Sequence, residues 1–183
     1  MPLSGPLYAR AAGSPPVPAG LPLVIALTGF TDAGGAVSRI VEYFRGELDP
    51  TTVVAFDNDV LFDYRARRPI VTFDEDHLTD YRAPRLELSL AHDSLGQPFV
   101  LLAGYEPDFA WEAFAETVLG LAEGMQVASI TWVHAIPMPV PHTRPIGATV
   151  SGTRSELTAA HSVWQPRTQI PATAGHLLEL RLA

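Results

Sequence analysis

The sequence predicts an α/β domain with a mostly parallel central sheet flanked by helices. Short apolar runs rich in branched residues recur along the chain, and two segments with helical periodicity lie between them. Such runs are typical of strands buried on both faces. The chain has 183 residues, 47% of them hydrophobic and 17% charged, which is enough apolar material for one folded domain and excludes global disorder. We expect residues 1–22 to form a Pro/Gly-rich N-terminal arm and residues 23–183 to form a single α/β domain.

The first part of the domain predicts a strand–helix–strand unit. Residues 23–28 form the first buried strand, and residues 52–57 form the next, parallel to it. The helix between them is marked by apolar residues at helical spacing, namely Val37, Ile40, Val41 and Phe44. Thr31 or Asp32 can cap the free N–H groups at its start.

In the middle of the chain we expect a charged excursion, meaning a charged segment that lies outside the core, followed by a hairpin. Residues 58–84 are dense in charge and are interpreted as solvated surface outside the core, with a short edge strand at 70–73. Residues 86–91 alternate apolar and polar side chains, as a half-exposed strand does. Residues 99–103 predict a buried strand that pairs with them.

The last part of the chain predicts a second helix and three strands. Asp108 is the expected N-cap of the helix. The apolar stripe of this helix consists of Ala110, Ala113, Phe114, Val118 and Leu121. Residues 127–133 predict a fourth buried strand, residues 134–145 a loop stiffened by prolines, and residues 146–151 and 177–182 two further strands.

The composition excludes several kinds of chemistry and of partner. With no Cys, the chain has no disulfide, thiol nucleophile or Cys zinc site, and with no Lys it has no Schiff-base or P-loop lysine. A net charge of −8 argues against nucleic-acid binding, which needs a basic surface. The uncharged stretches at 11–31 and 124–141 are broken by prolines, so we expect no membrane segment and a cytoplasmic protein.

Four of the predicted strands end in polar or glycine-rich loops, which begin at Gly29, Asp57, Gly104 and His134. Because the carboxyl ends of parallel strands meet at one edge of a sheet, open α/β sheets bind ligands there. We therefore expect a ligand-binding cleft at this edge. Its candidate residues are Gly29, Thr31, Asp32, Gly34, Asp63, Arg65, Arg68, Gly104, Glu106, Asp108, His134, His142 and Arg144.

The acidic and glycine-rich candidates have two interpretations each. Residues 29–35 could cradle an anion at a helix N-terminus, or could form only a tight turn; the glycine spacing matches no nucleotide-binding motif, which favours the turn. The carboxylates expected near this edge could hold Mg²⁺ or supply a general acid and base, but caps and turns explain most residues of this kind. These carboxylates are Asp32, Asp57, Asp59, Asp63, Glu106 and Asp108. We predict no metal and no cofactor, and the sequence identifies no catalytic residue.

The basic candidates also have two interpretations each. Arg65, Arg67 and Arg68 could clamp a carboxylate or form ordinary surface salt bridges. His134 and His142 could bind a metal or act as bases, but their spacing fits no zinc motif, and a hydrogen-bonded structural histidine is the simpler interpretation.

Several segments together resemble the proteasome assembly chaperone 2 family, in particular its actinobacterial branch. The segments are residues 29–35, 63–69, 104–108 with Trp111, 137–145 and 174–179. The resemblance implies an α/β core similar to those of purine nucleoside phosphorylases and related hydrolases. Members of this branch usually continue past the equivalent of Ala183 in a helical region, so the chain could be a part of a longer protein.

The resemblance also implies a role in protein assembly. Eukaryotic members help to assemble the proteasome α-ring and are not known as enzymes, and the family motif carries no assigned catalytic residue. We therefore predict an interaction or assembly-chaperone-like protein that forms homo-oligomers and binds a protein partner. Two alternatives stay open: a phosphorylase- or hydrolase-like enzyme, and a domain that binds an anionic small molecule at the strand edge.

Overall fold

The computed structural model describes residues 6–161 and 167–183, so the first five residues of the predicted arm lie outside the described residues. The described strands are β1 Tyr8–Arg10, β2 Pro22–Thr28, β3 Thr51–Phe56, β4 Ile70–Asp74, β5 His77–Arg82, β6 Leu86–His92, β7 Pro98–Tyr105 and β8 Ser129–Val133. The described helices are α1 Ala36–Glu47, α2 Asn58–Leu61, α3 Trp111–Gly124, α4 Ser155–His161 and α5 Ala174–Leu182.

A mixed six-stranded sheet forms the centre of the described part of the chain, in the order β1-β3-β6-β7-β2-β8. The β2–β7 and β2–β8 pairs are parallel, whereas the β1–β3, β3–β6 and β6–β7 pairs are antiparallel. The expectation of a mostly parallel sheet was therefore wrong in its pairing, because the β6–β7 hairpin places an antiparallel strand between β3 and β7. The directions of β2, β3, β7 and β8 nevertheless agree, so all four strands end at one edge of the sheet.

Helices cover both faces of the sheet, and alternate residues of β7 point to opposite sides, as a pleated strand requires. Val100 and Leu102 lie in the larger apolar cluster, together with Phe114 of α3 and Leu178 of α5. Leu101 lies in the smaller cluster on the other face, beneath α1. Full burial of each such side chain stabilises the fold by about 1.5–3 kcal/mol. Because β7 is buried on both faces, this gain favours an apolar residue at nearly every position of the strand.

Two strands differ from their predicted burial. The predicted half-exposed strand is β6, and it is largely buried because Leu88 packs in the larger apolar cluster and Ala91 in the smaller one on the opposite face. The predicted buried strand at 127–133 is β8, which begins at Ser129 and has partly exposed side chains. It is the last strand of the sheet among the described residues, so its apolar run does not reflect burial on both faces.

The strands predicted near the C-terminus are absent from the described residues. Residues 177–182 belong to α5, whose start is fixed by a capping box: the Thr173 side chain accepts from the N–H of His176, and the His176 side chain accepts from the N–H of Thr173. Residues 146–151 form no strand, and Ile146 is 99% exposed, because no neighbouring strand of the described sheet pairs with them. The helix α4 was not predicted.

The predicted arm contributes to the sheet. Tyr8–Arg10 pairs antiparallel with β3, and the neighbouring Leu7 is buried in the core. Where the domain begins stays a prediction.

The charged excursion contains a hairpin of its own. The edge strand predicted at 70–73 is β4, but it pairs with β5 in a separate two-stranded sheet and not with the central sheet. The short helix α2 precedes this hairpin. Among the described residues, no helix combines the length and the apolar character needed to cross a bilayer.

Candidate functional site

Three neighbouring strands bring candidate residues together at the carboxyl edge of the sheet. Because β7, β2 and β8 run in parallel and in adjacent positions, the loops that follow them are neighbours. Thr31 follows β2, Glu106 follows β7 and His134 follows β8. With residues 173–176 at the start of α5, these residues form what we call the carboxyl-edge cluster.

Glu106 is the buried centre of the carboxyl-edge cluster, with an exposed fraction of 7%. Its Oε1 accepts a hydrogen bond from the backbone N–H of Phe30 (2.7 Å), and its Oε2 accepts one from the backbone N–H of Ala174 (3.0 Å). The second bond places a carboxylate at the N-terminus of α5, where the helix dipole favours negative charge. A Cβ at Gly29 would overlap the Glu106 carboxylate, so this approach requires glycine.

Three aromatic rings pack around this carboxylate. The Trp132 and His134 rings stack with centroids 4.8 Å apart, and the His176 ring meets both of them edge-on at 5.0 and 5.5 Å. A Cβ at Gly175 would overlap the Trp132 indole, so glycine lets α5 approach the sheet closely. The cluster therefore fixes the position of α5 on the end of the sheet.

His134 also contacts the loop after β2, since its Nε2 lies 2.7 Å from Thr31 Oγ1. Burial lowers the pKa of His134, and the neighbouring His176 lowers this pKa further, while Glu106 and Asp32 act to raise it. A neutral imidazole is thus favoured near neutral pH. Chemically, the pair can share a proton in a hydrogen bond between the loops that follow β2 and β8.

The cavity inside the carboxyl-edge cluster measures ≈ 10 Å³, which holds about one water molecule. Within the described residues, the buried Nε1 of Trp132 has no hydrogen-bond partner. The described ranges also contain no group of three or more His, Asp or Glu side chains that could hold a metal ion. The space between these side chains is therefore too small for an organic ligand, and the cluster can anchor the elements that meet there.

Asp32 occupies the N-terminus of α1. Its carboxylate accepts from the N–H groups of Val37 (2.8 Å) and Ser38 (3.0 Å) and from the Ser38 hydroxyl (2.6 Å). Burial acts to raise the pKa of Asp32, but these hydrogen bonds lower it below its ordinary value. Gly34 and Gly35 both have φ near +66°, so the turn itself needs glycine. An anion cradled by residues 29–35 would meet this carboxylate.

Asp108 lies at the base of the β4–β5 hairpin and does not cap α3. The expectation that Asp108 is the N-cap of this helix was therefore wrong. The residue before α3 is Ala110, with a φ of 56°. The Asp108 carboxylate instead accepts from the Asp63 N–H (2.9 Å) and pairs with Arg67 through Nε (3.1 Å) and Nη2 (3.0 Å). The Arg67 guanidinium also lies over the Tyr105 ring, 5.0 Å from its centroid. These contacts fix the segment that leads into the hairpin.

The remaining candidates do not join the carboxyl-edge cluster. Arg65 pairs with Asp63 at an exposed position, and Arg68 is exposed. A Cβ at Gly104 would overlap the carbonyl oxygen of Arg85, so this glycine serves the packing of strands. His142 and Arg144 lie on the exposed proline-rich loop and do not line the small cavity. Whether any candidate binds a ligand stays a prediction.

Sequence reasoning missed the second half of the carboxyl-edge cluster. Trp132 was counted only as a strand residue, and Thr173, Gly175 and His176 were not candidates. The one signal that pointed to them was the family-like segment at 174–179, where Gly175 and His176 interrupt an apolar run. Its interpretation as a strand hid the helix N-terminus that meets Glu106.

The hairpin formed by β4 and β5 carries a second feature, an exposed apolar surface. Its large apolar side chains are 46–70% exposed. Phe73 and Leu78 are directly opposite each other, so they share a face. We call this set the hairpin surface; its members are Ile70, Val71, Phe73, Leu78 and Tyr81.

Comparison with known proteins gives one family and several similar structures. The model of the PAC2 family matches residues 26–183. A Corynebacterium glutamicum protein of unknown function has a TM-score of 0.88 and 34% identity, over 96% of this chain and 67% of that one. A Mycobacterium tuberculosis protein of unknown function has a TM-score of 0.86 and 40% identity, over 99% of this chain and 64% of that one.

A third structure, a proteasome-assembly chaperone homologue of M. tuberculosis, has a TM-score of 0.77 over 86% of this chain and 67% of that one. Its identity is 21%, so the likeness shows the fold alone. The chain spans about two thirds of the length of these structures. None of the curated proteins matches the chain significantly.

Proposed function

Because the chain belongs to the PAC2 family, we propose that it acts as an assembly-chaperone-like protein that binds other protein chains, including copies of itself. The hairpin surface is the observation that carries this proposal. Its five large apolar side chains lie on both faces of a two-stranded sheet, since the consecutive Ile70 and Val71 point to opposite sides. This sheet pairs with no described strand of the central sheet. Exposed apolar patches of this kind mark interaction sites.

The energetics of the hairpin favour a partner. A lone two-stranded hairpin is marginally stable in water, and additional packing stabilises it. Each large apolar side chain that a partner buries completely contributes about 1.5–3 kcal/mol. Phe73 and Tyr81 belong to the aromatic residue types that are enriched at the centres of interfaces.

The charge of the hairpin indicates what a partner surface should offer. The turn between β4 and β5 is acidic, with Asp74, Glu75 and Asp76 in succession. A complementary surface combines an apolar patch with basic residues beside it. The first candidates are α-type proteasome subunits, an inference supported by the family and by the fold shared with a proteasome-assembly chaperone homologue.

The enzyme alternative has less support in the structure. A cavity of ≈ 10 Å³ at the carboxyl edge leaves no room for an organic substrate in the closed cluster. In our proposal the phosphorylase-like core, an expectation from the family resemblance, serves as a scaffold for the hairpin. We further propose that the protein works in the cytoplasm.

Self-association is the first test. We expect the wild-type protein to form oligomers in sedimentation velocity, and Phe73→Ser and Leu78→Ser to shift it towards monomer. Both side chains are exposed, so the substitutions leave the core intact. Leu95→Ser is the matched control, since Leu95 is an exposed apolar residue, at 82%, in the turn between β6 and β7. A monomeric wild type would contradict self-association.

Binding to purified α-type proteasome subunits is the second test. We expect the wild type and Leu95→Ser to bind these subunits and to speed their assembly into rings, and Phe73→Ser to lose both effects. No binding by the wild type would reject this partner. Equal binding by all three proteins would reject the hairpin surface as the docking site.

A further inference from the structure

A polar groove of ≈ 210 Å³ lies on the face of the sheet that carries α1, away from the carboxyl-edge cluster. It runs across β3, β6 and β7 beside the C-terminal half of α1. We call it the β6 groove; its polar lining residues are Arg45, Asp49, Thr52, Arg85, Glu87 and Ser89. No function proposed above uses it.

The floor of the groove follows from the alternation along β6. Leu86 and Leu88 point into the larger core, so Glu87 and Ser89 point to the opposite face. Ser89 is directly opposite Thr52 of β3, which places both hydroxyl groups on this face. Ser89 is 5% exposed and lies beside the buried Leu101, so the floor combines buried polar groups with an apolar strip.

The Glu87 carboxylate on this floor has only long contacts with other side chains. The Glu87 side chain is only 20% exposed, yet its carboxylate has two long contacts, 3.5 Å to Thr52 Oγ1 and 3.9 Å to Arg85 Nε. Good hydrogen bonds to carboxylates measure about 2.7–3.2 Å. Among the described residues, the Ser89 hydroxyl forms no hydrogen bond. A largely buried carboxylate without close partners favours a bound donor, and best of all a cationic one.

The rim of the groove carries charges of both signs, because the exposed Asp49 lines it together with two arginines. Arg45 projects from α1, and Arg85 precedes β6 with its guanidinium largely exposed. Both can pair with an anionic group above the floor. The volume is below the roughly 300–1,000 Å³ of ordinary ligand pockets, so a nucleotide is too large and a molecule of amino-acid size fits.

We propose that the β6 groove binds a small zwitterion of the α-amino-acid type. Its ammonium group donates to the Glu87 carboxylate and the Ser89 hydroxyl. Its carboxylate pairs with Arg85 and Arg45, and a short apolar side chain rests on Leu101. A ligand with only one of the two charged groups satisfies only one side of the groove.

The test is a titration of the folded protein with L-alanine, L-valine and L-glutamate, followed by ¹H–¹⁵N NMR. We expect at least one amino acid to shift the Thr52 and Ser89 amides saturably. The amino acid that binds is then compared with its amine and its carboxylic acid, which for valine are isobutylamine and isovalerate. Each should bind at least about tenfold more weakly, a difference of roughly 1.4 kcal/mol.

Variants locate the binding. Glu87→Gln keeps the shape of the side chain and removes the charge, and we expect at least tenfold weaker binding; Arg85→Ala changes an exposed rim residue and should also weaken it. Glu42→Gln, an exposed position on α1 outside the groove, is the control. No saturable shift with any of the three amino acids, equal binding of the amine or acid, or unchanged binding by folded Glu87→Gln would each overturn the proposal.

Discussion

At the carboxyl edge of the sheet, the Glu106 carboxylate joins two elements that are far apart in the sequence. It accepts hydrogen bonds from Phe30 in the loop after β2 and from Ala174 at the start of α5. Both donors are backbone N–H groups, which a side-chain substitution does not remove. Loss of the Glu106 carboxylate would therefore leave both donors without this acceptor. The physical consequence is that one buried side chain links α5 directly to this loop, in addition to the ring contacts around Trp132 and His134.

The first prediction concerns this link. Glu106→Ala leaves two backbone N–H groups without acceptors, and each unsatisfied buried group costs about 1–3 kcal/mol. We expect the free energy of unfolding to fall by about 3 kcal/mol in urea denaturation. Glu123→Ala, at an exposed position on α3, should change it by less than about 0.5 kcal/mol. Equal stability of the two variants would show that the Glu106 bonds contribute nothing.

The second prediction compares two glycines in helices. Gly175→Ala places a Cβ against the Trp132 indole, and such overpacking costs about 1–3 kcal/mol. Gly46→Ala in α1 meets no atom within 4 Å and should stabilise the protein by about 0.5–1 kcal/mol. Thermal unfolding should therefore move in opposite directions for the two variants. A stabilising Gly175→Ala would mean that α5 does not dock closely on Trp132.

The third prediction concerns pH. Burial lowers the pKa of His134, and so does His176, against the opposing effects of Glu106 and Asp32. The unfolded chain therefore binds a proton at this position at a higher pH than the folded chain does. Stability is retained above the unfolded pKa of about 6.5 and falls as the pH drops from there towards the folded pKa.

The comparison of wild type with His134→Gln measures this effect, because glutamine does not titrate. Between about pH 7.5 and 5.5, the free energy of unfolding of the wild type should fall more than that of His134→Gln. The rest of the chain is the same in both proteins, so the difference reports on His134 and its contacts. A variant that loses as much stability as the wild type would contradict a depressed pKa.

Among the elements, the β4–β5 hairpin is fixed to the body through the ion pair of Arg67 with Asp108. Both side chains are mostly buried and the pair makes two close contacts. Arg67→Ala removes charge-assisted hydrogen bonds, and we expect a loss of about 1–2 kcal/mol of stability. Hydrogen exchange across residues 63–68 should become faster. Arg65→Ala, at an exposed ion pair, is the control and should have no measurable effect; identical exchange in both variants would contradict the anchoring.

Elements with a clear period could be predicted from sequence, whereas elements chosen by their neighbours could not. Strands β2 and β7 were found because each is buried between other strands, and α1 was found from its apolar stripe. Residues 177–182 were misassigned because a short apolar run fits either a strand or a helix, and the Thr173 cap decided it. The strand at Tyr8–Arg10 has only three residues, and it forms because β3 offers it an open edge.

The candidate site, like the fold, could be predicted only in part. The shared direction of β2, β7 and β8 brought Thr31, Glu106 and His134 together, as expected from the parallel ends of strands. Asp108 was misassigned because an aspartate before a helix usually caps it, whereas here Arg67 competes for the carboxylate. Trp132 and His176 could not be found without α5, since only the docking of that helix brings them together.

At the scale of the whole molecule, the structure separates a closed sheet edge from an open apolar hairpin. The carboxyl edge is filled by Glu106 and three aromatic rings, which leaves a cavity of ≈ 10 Å³. The hairpin surface stays exposed in the isolated chain. This division is what supports our proposal of a protein that binds other chains.

Thiol labelling tests this claim most directly, because the chain has no Cys and a single introduced one is labelled without background. Phe73→Cys reports on the hairpin surface, and Leu95→Cys reports on an equally exposed turn. Our account predicts that rising protein concentration slows the labelling of Phe73→Cys, while Leu95→Cys reacts at a constant rate. Labelling at position 73 that is independent of concentration, and also of added α-type proteasome subunits, would contradict it.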